Sequence, residues 1–208
     1  MTPRRRRSGR VDTRSEAKTK PLEAMTNEEL WAVFPIVLQE HNPAWADWYR
    51  EEAARLEQVI GRDDIKRASH IGSTAVPGLT AKPTVDILLE IREGADTEKL
   101  AASMRGAGYI LLEKPGNSPP HMLFLKGYTP DGFAEKVFHI HVRYPGDWDE
   151  RYFRDYLRAH PEEAAAYARL KRALAEAYRH DRDAYTDAKT GFVKRVTRLA
   201  REEAENGG

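Results

Sequence analysis

The chain has 208 residues, of which 40% are hydrophobic and 32% are charged. This length and composition are typical of a water-soluble globular domain with a substantial core, and they exclude a chain that is disordered throughout. No window approaches 18 consecutive apolar residues, and no apolar stretch follows the basic N-terminus, so the sequence predicts neither a membrane span nor a secretory signal.

The absence of cysteine and the distribution of charge limit the chemistry further. Without cysteine there are no disulfides, thiolate nucleophiles or Cys-ligated metals, and His, Asp and Glu are the only strong metal ligands left. Residues 1–24 carry eight Lys or Arg against three acids, which gives this segment a net charge of +5. Because the net charge of the whole chain is +1, residues 25–208 carry a net charge of −4. A mildly acidic body argues against a duplex nucleic-acid footprint on the folded part. We expect a cytoplasmic protein.

The basic segment at 1–24 has almost no large apolar side chains, so we expect it to be a disordered tail. Met25 precedes an amphipathic run and is a second candidate for the start of translation, in which case the tail is a nonfunctional extension. The other interpretation is an arm that binds nucleic acid. The folded domain is expected to cover 25–208.

Periodicity and turn residues predict alternating helices and strands in the first half of the chain. A short helix is expected over 27–34 and a strand over 36–40. Asn42 followed by Pro43 is typical of a helix start, and the apolar stripe after it predicts a helix that continues to about Ile60. Further elements are expected as strands at 65–71 and 84–91 and as a helix from Asp96 or Thr97 to Gly106.

The second half of the chain is predicted to supply three strands and then only helices. The strands are expected at 109–113, 121–126 and 136–143, separated by turn-rich segments. From about 149 to 204 the pattern is helical, in three segments. This order predicts an α+β fold, in which a mixed sheet with flanking helices is followed by a C-terminal helical bundle.

The most informative segment is HIGSTAVPGLTAKPTVDI, which runs from His70 to Ile87. A Gly-Ser turn at a strand end, here Gly72 and Ser73, offers backbone N–H groups and a hydroxyl that suit phosphate oxygens. Asp86, on the next strand, would then hold a divalent cation that bridges those phosphates. A tight turn and an acid with purely structural roles fit the same spacing.

This segment resembles the hallmark of the GrpB family, an Ile-Gly-Ser-Thr-x-Val-Pro-Gly-Leu-x-x-Lys-Pro run that ends in Asp. The blocks FRDYLRAHP at 153–161 and YTDAK at 185–189 are similar to the C-terminal helical motif of the same family. The resemblance covers about residues 30–198 and implies the fold more strongly than the activity. Related domains occur joined to dephospho-coenzyme A kinase.

The GrpB family in turn resembles the nucleotidyltransferase superfamily. There a Gly-Ser turn precedes a strand with two acids at alternate positions, and a neighbouring strand supplies a third acid. The resemblance implies a nucleotidyltransferase-like sheet in which Gly72, Ser73, Thr74 and Lys82 bind phosphate. It also implies that Asp86 is catalytic and binds the metal.

One position departs from the superfamily pattern, because Leu88 stands where the second acid is expected. Glu90 shares the strand face but lies ~13 Å from Asp86, too far to share a cation. On the last strand, His139 and His141 alternate with apolar residues and so share one face. We therefore predict a metal site formed by Asp86, His139 and His141, in which imidazole favours Mn, Zn or Ni over Mg. Hydrogen-bonded sheet residues are the alternative interpretation.

The remaining polar candidates have both functional and structural interpretations. Ser73 is expected to donate a hydrogen bond to phosphate rather than to act as a nucleophile, because the neighbouring sequence offers no base to activate it. His70 fits a structural role equally well. Arg154, Lys171 and Lys189 on the C-terminal helices are candidates to reach a triphosphate, and solvated helix-surface cations are the alternative.

Together these residues predict a metal-dependent nucleotidyltransferase that moves a nucleotidyl group from a nucleoside triphosphate to a small-molecule acceptor. The expected cofactor is Mg or Mn, with Zn as a further candidate. One alternative is a catalytically silent module that binds a nucleotide or another phosphorylated metabolite. Another is a nonenzymatic accessory protein whose helical bundle contacts a partner. No membrane partner is expected, and nucleic acid only through the tail.

Overall fold

The computed structural model of the chain describes residues 20–112 and 119–207. Most of the tail predicted at 1–24 lies outside the described residues, and so does most of the turn-rich segment before residue 119. Of the tail residues that are described, Leu22–Ala24 form one turn of 3₁₀ helix and Lys20 pairs with Glu29 at 2.6 Å.

The described ranges contain a five-stranded sheet and six α-helices. The strands are β1 (Ile65–Ile71), β2 (Thr84–Ile91), β3 (Ile110–Leu112), β4 (Met122–Thr129) and β5 (Gly132–Arg143). The helices are α1 (Asn27–Val33), α2 (Ala44–Ile60), α3 (Thr97–Gly106), α4 (Asp149–Ala159), α5 (Pro161–Ala177) and α6 (Arg182–Asn206). None of these helices has the length and apolar character needed to cross a membrane.

The strand order is β1-β2-β5-β4-β3, in which only β2 and β5 run parallel. The sheet is therefore mixed, as the order of elements predicted. Along β2 and β5 the side chains alternate between two faces. One face, with Ile87, Leu89 and Ile140, packs into the core formed with α2 and α3. The opposite face carries Asp86 and His139, which are partly exposed.

The C-terminal bundle packs against the loop that follows β1. Leu157 of α4, Tyr167 of α5 and Val196 of α6 form a second core with Val76 and Leu79 from that loop. Two arginines of α4 also bind loop carbonyls. The guanidinium of Arg158 donates to the carbonyl of Ala75 at 2.7 and 3.0 Å, and that of Arg154 to the carbonyl of His70 at 2.9 Å. The predicted bundle thus fixes the turn at 72–75.

The strand expected at 36–40 is wrong. Only Gln39 makes a strand-like pairing there, in an isolated bridge to Ala81. The amide of Ile36 instead donates to the carbonyl of Arg179, between α5 and α6. The apolar run at 36–38 predicted a strand, but the amide of Ile36 bonds to a loop carbonyl and none of these residues pairs with the sheet.

His70, near the end of β1, is tied into the protein interior. The hydroxyl of Thr74 donates to the carbonyl of Thr84 at 3.1 Å, so its oxygen accepts the 3.0 Å hydrogen bond from Nε2–H of His70. The His70 ring also stacks on Tyr49, with ring centroids 5.0 Å apart. Burial lowers the pKa of His70 to about 4, so the imidazole is neutral at neutral pH.

We predict that stability falls as the pH drops from 6.5 towards 4 and that His70 accounts for part of the loss. In this range the unfolded chain binds a proton at His70 that the folded state excludes, so the free energy of unfolding decreases with decreasing pH. His70→Gln can still donate to Thr74 but does not titrate. Urea denaturation at neutral pH and near pH 5 should show a smaller loss for this variant than for the parent. Equal losses would contradict the assignment.

Candidate functional site

A cavity of about 550 Å³ opens between the turn after β1, the polar face of the sheet, and helices α5 and α6. Five of the residues predicted for the site line it: Gly72, Ser73, Lys82, Asp86 and His139. The fold therefore brings together residues that are up to 67 positions apart in the chain. His141 adjoins the same group through Asp86.

The register of the parallel pair β2–β5 sets the positions of the predicted metal ligands. Asp86 lies opposite His139, and His141 is two residues further along β5. Oδ1 of Asp86 is 3.2 Å from Nδ1 of His139 and 3.4 Å from Nε2 of His141. The three candidate ligand atoms all lie within 4.8 Å of one another, a compact group of one carboxylate and two imidazoles.

Gly72 is required at the turn because Asp86 occupies the space beside it. Its φ of +71° lies in a region that L side chains rarely adopt. A Cβ at this position would be 2.5 Å from Oδ2 of Asp86. The sequence suggested that glycine leaves the backbone open to phosphate. The structure adds a second reason, which is the close approach of the carboxylate.

We predict that Gly72→Ala destabilises the protein more than Gly78→Ala does. Both glycines have positive φ, +71° and +76°, so alanine strains the backbone at either site, and Gly72, with ψ of −171°, has a conformation that is essentially restricted to glycine. A Cβ on Gly78 meets nothing within 4 Å, whereas a Cβ on Gly72 meets Asp86. The additional cost at Gly72 should be about 1–3 kcal/mol, as for other overpacked sites.

A double-mutant cycle isolates this contact. In an Asp86→Ala background the cost of Gly72→Ala in free energy of unfolding should fall by about 1–3 kcal/mol, because the carboxylate is gone, whereas the cost of Gly78→Ala should not change. If Gly72→Ala costs as much in that background as in the parent, the contact with Asp86 is not a cause.

Tyr128 and Arg182 complete the polar group around His139, and sequence reasoning missed both. The hydroxyl of Tyr128 is 2.7 Å from Nε2 of His139, and Nη2 of Arg182 donates to that hydroxyl at 3.2 Å. An ionised Asp86 can only accept, so Nδ1 of His139 carries the ring proton here and Tyr128 donates to Nε2. Tyr128 fixes the orientation of the ring, as outer-shell partners do at metal sites. Only the β4–β5 register reveals its role.

Burial and hydrogen bonding together set the protonation of this group. Burial alone raises the pKa of Asp86, but hydrogen bonds from His139 and His141 outweigh it and hold the pKa below its usual range. Burial also lowers the pKa of His139, and the neighbouring carboxylate opposes this only in part. An ionised Asp86 beside a neutral imidazole is the protonation state that a metal ion requires.

Cationic side chains form much of the remaining wall, namely Lys82, Lys171, Arg182 and Lys189. Burial, followed by the charges of Arg182 and Lys189, lowers the pKa of Lys82 to about 7. Burial also lowers the pKa of Lys189, whose Nζ lies 4.4 Å from the centre of the Tyr185 ring. These pKa shifts measure the cost of crowding cations in a poorly hydrated space. An anionic ligand would relieve that cost.

Lys171 lies beside Ser73, where the neighbouring sequence offered no titratable partner. Its Nζ is 3.0 Å from Oγ of Ser73, although the two residues are 98 positions apart in the sequence. Lys171 is one of the cations predicted from the sequence to reach a triphosphate, and it lies in the cavity wall. Its contact with a serine hydroxyl had no signal in the sequence.

Two of the other candidates point away from the cavity. The hydroxyl of Thr74, predicted to bind phosphate, is buried and bonded to His70 and Thr84. The guanidinium of Arg154 is bonded to the carbonyl of His70 and to Asp155, and it lines a separate groove of about 840 Å³ between β1, α4 and α6.

The two residues that follow Asp86 on its strand face have structural surroundings. Leu88, at the expected second acid position, is completely buried. Glu90 is completely buried as well and accepts two hydrogen bonds from Arg67, at 2.5 and 2.9 Å. Neither residue supplies a second carboxylate beside Asp86, and the histidines of β5 are the nearest alternative ligands among the described residues.

The profile of the family described as GrpB protein matches residues 35–199. The chain belongs to the GrpB family. It is 41% identical over 157 residues to a UPF0157 protein of Pseudomonas aeruginosa, a match that spans 74% of this chain and 63% of that protein. The crystal structure of GrpB from Enterococcus faecalis aligns with a TM-score of 0.69 and 30% identity, covering 81% of this chain and 99% of the other.

A more distant match extends beyond proteins with the GrpB or UPF0157 name. A dephospho-CoA kinase of Mycobacterium leprae is 27% identical over 199 residues, which cover 84% of this chain and 48% of the kinase. The comparisons confirm the resemblance to the GrpB family and the α+β fold predicted from the sequence.

Proposed function

We propose that this GrpB-family protein binds a divalent cation and a nucleoside triphosphate in the cavity and transfers the nucleotidyl group to a small-molecule acceptor. The observation that carries the proposal is the position of the Asp86, His139 and His141 group beside a wall of cationic side chains. Metal donors next to an anion-binding wall are what a metal-bound polyphosphate requires.

The donor set fits a divalent cation. Asp86 would contribute a carboxylate oxygen, His139 its Nδ1 and His141 its Nε2, and these atoms already lie close together. One carboxylate and two imidazoles suit Mn²⁺ or Zn²⁺ better than Mg²⁺. When bound, such an ion supplies charge neutralisation at the phosphoryl oxygens. Ligation through Nδ1 of His139 places the ring proton on Nε2, where the oxygen of Tyr128 can accept it.

The side chains of this protein would position the triphosphate. Lys82, Lys189 and Arg182 would bind phosphate oxygens, and the turn at Ser73 would contact the same group. The hydroxyl of Tyr185 is buried and has no hydrogen-bond partner among the described residues, and Tyr185 lines the cavity, so it has a donor to offer a ligand. Nucleotidyl transfer depends mainly on such positioning and on charge stabilisation.

The distant relative adds support of a general kind. A protein named dephospho-CoA kinase shares similarity with this chain over about half of its own length. The name denotes an enzyme that transfers a phosphoryl group, and nucleotidyl transfer likewise acts on a phosphorylated substrate. The match agrees with a role in phosphate chemistry and does not identify the acceptor.

Leu88 favours one competing function, a catalytically silent module that binds a nucleotide or another phosphorylated metabolite. Its buried side chain removes the second acid that the resemblance implies for an active site. Binding of metal and nucleotide is common to both functions. Release of pyrophosphate from a nucleoside triphosphate in the presence of an acceptor belongs only to the transferase.

We predict that Asp86→Asn and the double change His139→Ala with His141→Ala each weaken Mn²⁺ binding by about tenfold or more, because each removes direct ligands. Combining all three changes should cost little beyond the larger single effect, since the residues act as one site. Calorimetric titration of Mn²⁺, with and without a nonhydrolysable ATP analogue, measures both affinities.

The matched control is His121→Ala with His160→Ala, which removes two histidines outside the candidate metal group. This variant should bind Mn²⁺ and nucleotide like the parent. If the His139 and His141 variant also binds like the parent, the shared metal site is wrong.

A further inference from the structure

Ser73 presents its hydroxyl to the cavity while a buried amine lies behind it. Oγ of Ser73 is 3.0 Å from Nζ of Lys171, and both residues line the cavity that contains Asp86. We infer that Ser73 and Lys171 form a nucleophile–base pair, and that Ser73 takes up the nucleotidyl group of the triphosphate as a covalent intermediate. This inference rests on the proposed function and specifies its chemical route.

The hydrogen bonds of Lys171 suit a neutral amine. The residue is only 2% exposed, and its Nζ also donates to the carbonyl of Thr80. A neutral amine has two N–H groups and one lone pair. In the ammonium form Nζ donates to both the carbonyl of Thr80 and Oγ of Ser73. In the neutral amine one N–H is used by the carbonyl of Thr80, and the lone pair accepts the Ser73 O–H. This is the arrangement of a general base with its nucleophile.

The surroundings of Lys171 favour the same protonation state. Burial, followed by the charges of Lys189, Lys82 and Arg172, lowers its pKa to about 7. Tyr167 is also hydrogen-bonded to Ser73, and burial raises its pKa. Tyr167 therefore keeps its proton and does not serve as the base, whereas the amine of Lys171 lies within hydrogen-bond distance of Oγ.

The turn that carries Ser73 is held in place from two sides. The backbone conformation of Gly72, with φ of +71°, lets the turn approach Asp86 closely. On the other side Arg158 of α4 binds the carbonyl of Ala75 through two N–H groups. A serine at a fixed turn between a base and an open cavity has the preorganisation that a nucleophile requires.

The charge of the cavity identifies the electrophile as a phosphoryl group and not a neutral ester. Lys82, Arg182 and Lys189 share the cavity with Ser73, and a neutral ligand would leave their mutual repulsion uncompensated. The α-phosphorus of a nucleoside triphosphate carries the anionic oxygens that these cations would bind. The cations would also stabilise the charge that develops in the transition state.

The first step forms a bond between Oγ of Ser73 and the α-phosphorus and breaks the bond from that phosphorus to the bridging oxygen. The proton of the serine hydroxyl passes to Nζ of Lys171, and pyrophosphate leaves. In the second step a hydroxyl of the acceptor attacks the phosphorus and releases its proton to solvent. The bond to Oγ breaks, and the ammonium of Lys171 returns its proton to Ser73.

The test is to incubate the full-length protein with Mn²⁺ and ATP as the probe nucleotide, without an acceptor, and to measure the intact mass after an acid quench. We expect a mass increase of one adenylyl group, mapped to Ser73 by peptide analysis. Ser73→Ala should form no adduct. Lys171→Met should form the adduct at least about 100-fold more slowly, because general-base catalysis contributes about that factor or more.

Matched controls separate chemistry from folding and binding. Ser69→Ala and Lys194→Met change a serine and a lysine outside this cavity, and they should form the adduct like the parent. Lys171→Arg keeps a cation and a donor but cannot act as a base, so it should also lose the adduct. Should a Lys171 variant fail to fold, the comparison of the parent with Ser73→Ala still decides the identity of the nucleophile.

The outcomes distinguish this inference from the proposed function on which it rests. If the parent binds Mn²⁺ and ATP in calorimetry but forms no adduct, or if the adduct persists in Ser73→Ala, the covalent route is overturned and the binding site stands. If the parent does not bind Mn²⁺ and ATP at all, the proposed function is overturned as well. An adduct that depends on Ser73 but forms at the parental rate in Lys171→Arg would overturn the role of Lys171 as base.

Discussion

The missing side chain of Gly72 is the constraint on which the rest of the site depends. Because a Cβ there would lie 2.5 Å from Oδ2 of Asp86, the turn after β1 and the carboxylate on β2 can be adjacent only if this position is glycine. The same closeness puts Ser73 at the edge of the cavity that Asp86 lines. Parallel pairing of β2 with β5 then brings His139 to the other side of the carboxylate. One small residue thus connects the turn, the candidate metal ligands and the candidate nucleophile.

The electrostatics of the cavity follow from where the fold places its charges. Asp86 is stabilised as a carboxylate by the two histidines, whereas burial lowers the pKa values of Lys82 and Lys171 to about 7. Side chains that contributed only to stability would be better placed in solvent or replaced by apolar groups. At functional sites the residue present often differs from the one that would be most stable at that position, and a ligand supplies the interaction that the residue lacks. The proposed metal ion and polyphosphate would supply both signs of charge to this cavity.

Local patterns in the sequence were sufficient for most of the elements and for part of the site. Strand alternation placed His139 and His141 on one face, and the Gly-Ser turn and Asp86 were identified from their spacing and family resemblance. Contacts between distant segments were not accessible in this way, because they depend on the sheet register and on how α5 docks. Lys171 beside Ser73 and the inward hydroxyl of Thr74 are examples. The strand prediction based on the apolar run at 36–38 is wrong for a related reason. Apolar character alone does not distinguish a strand from a segment that contacts loops.

The central claim is that one carboxylate and two imidazoles form a single metal site, and pulsed electron paramagnetic resonance of bound Mn²⁺ tests it most directly. Nitrogen nuclei of directly ligated imidazoles couple to the electron spin of Mn²⁺, whereas carboxylate and phosphate oxygens give no nitrogen signal. The account predicts two imidazole nitrogen couplings in the parent protein, one in His139→Ala and one in His141→Ala. A parent spectrum from tightly bound Mn²⁺ without nitrogen coupling would contradict it.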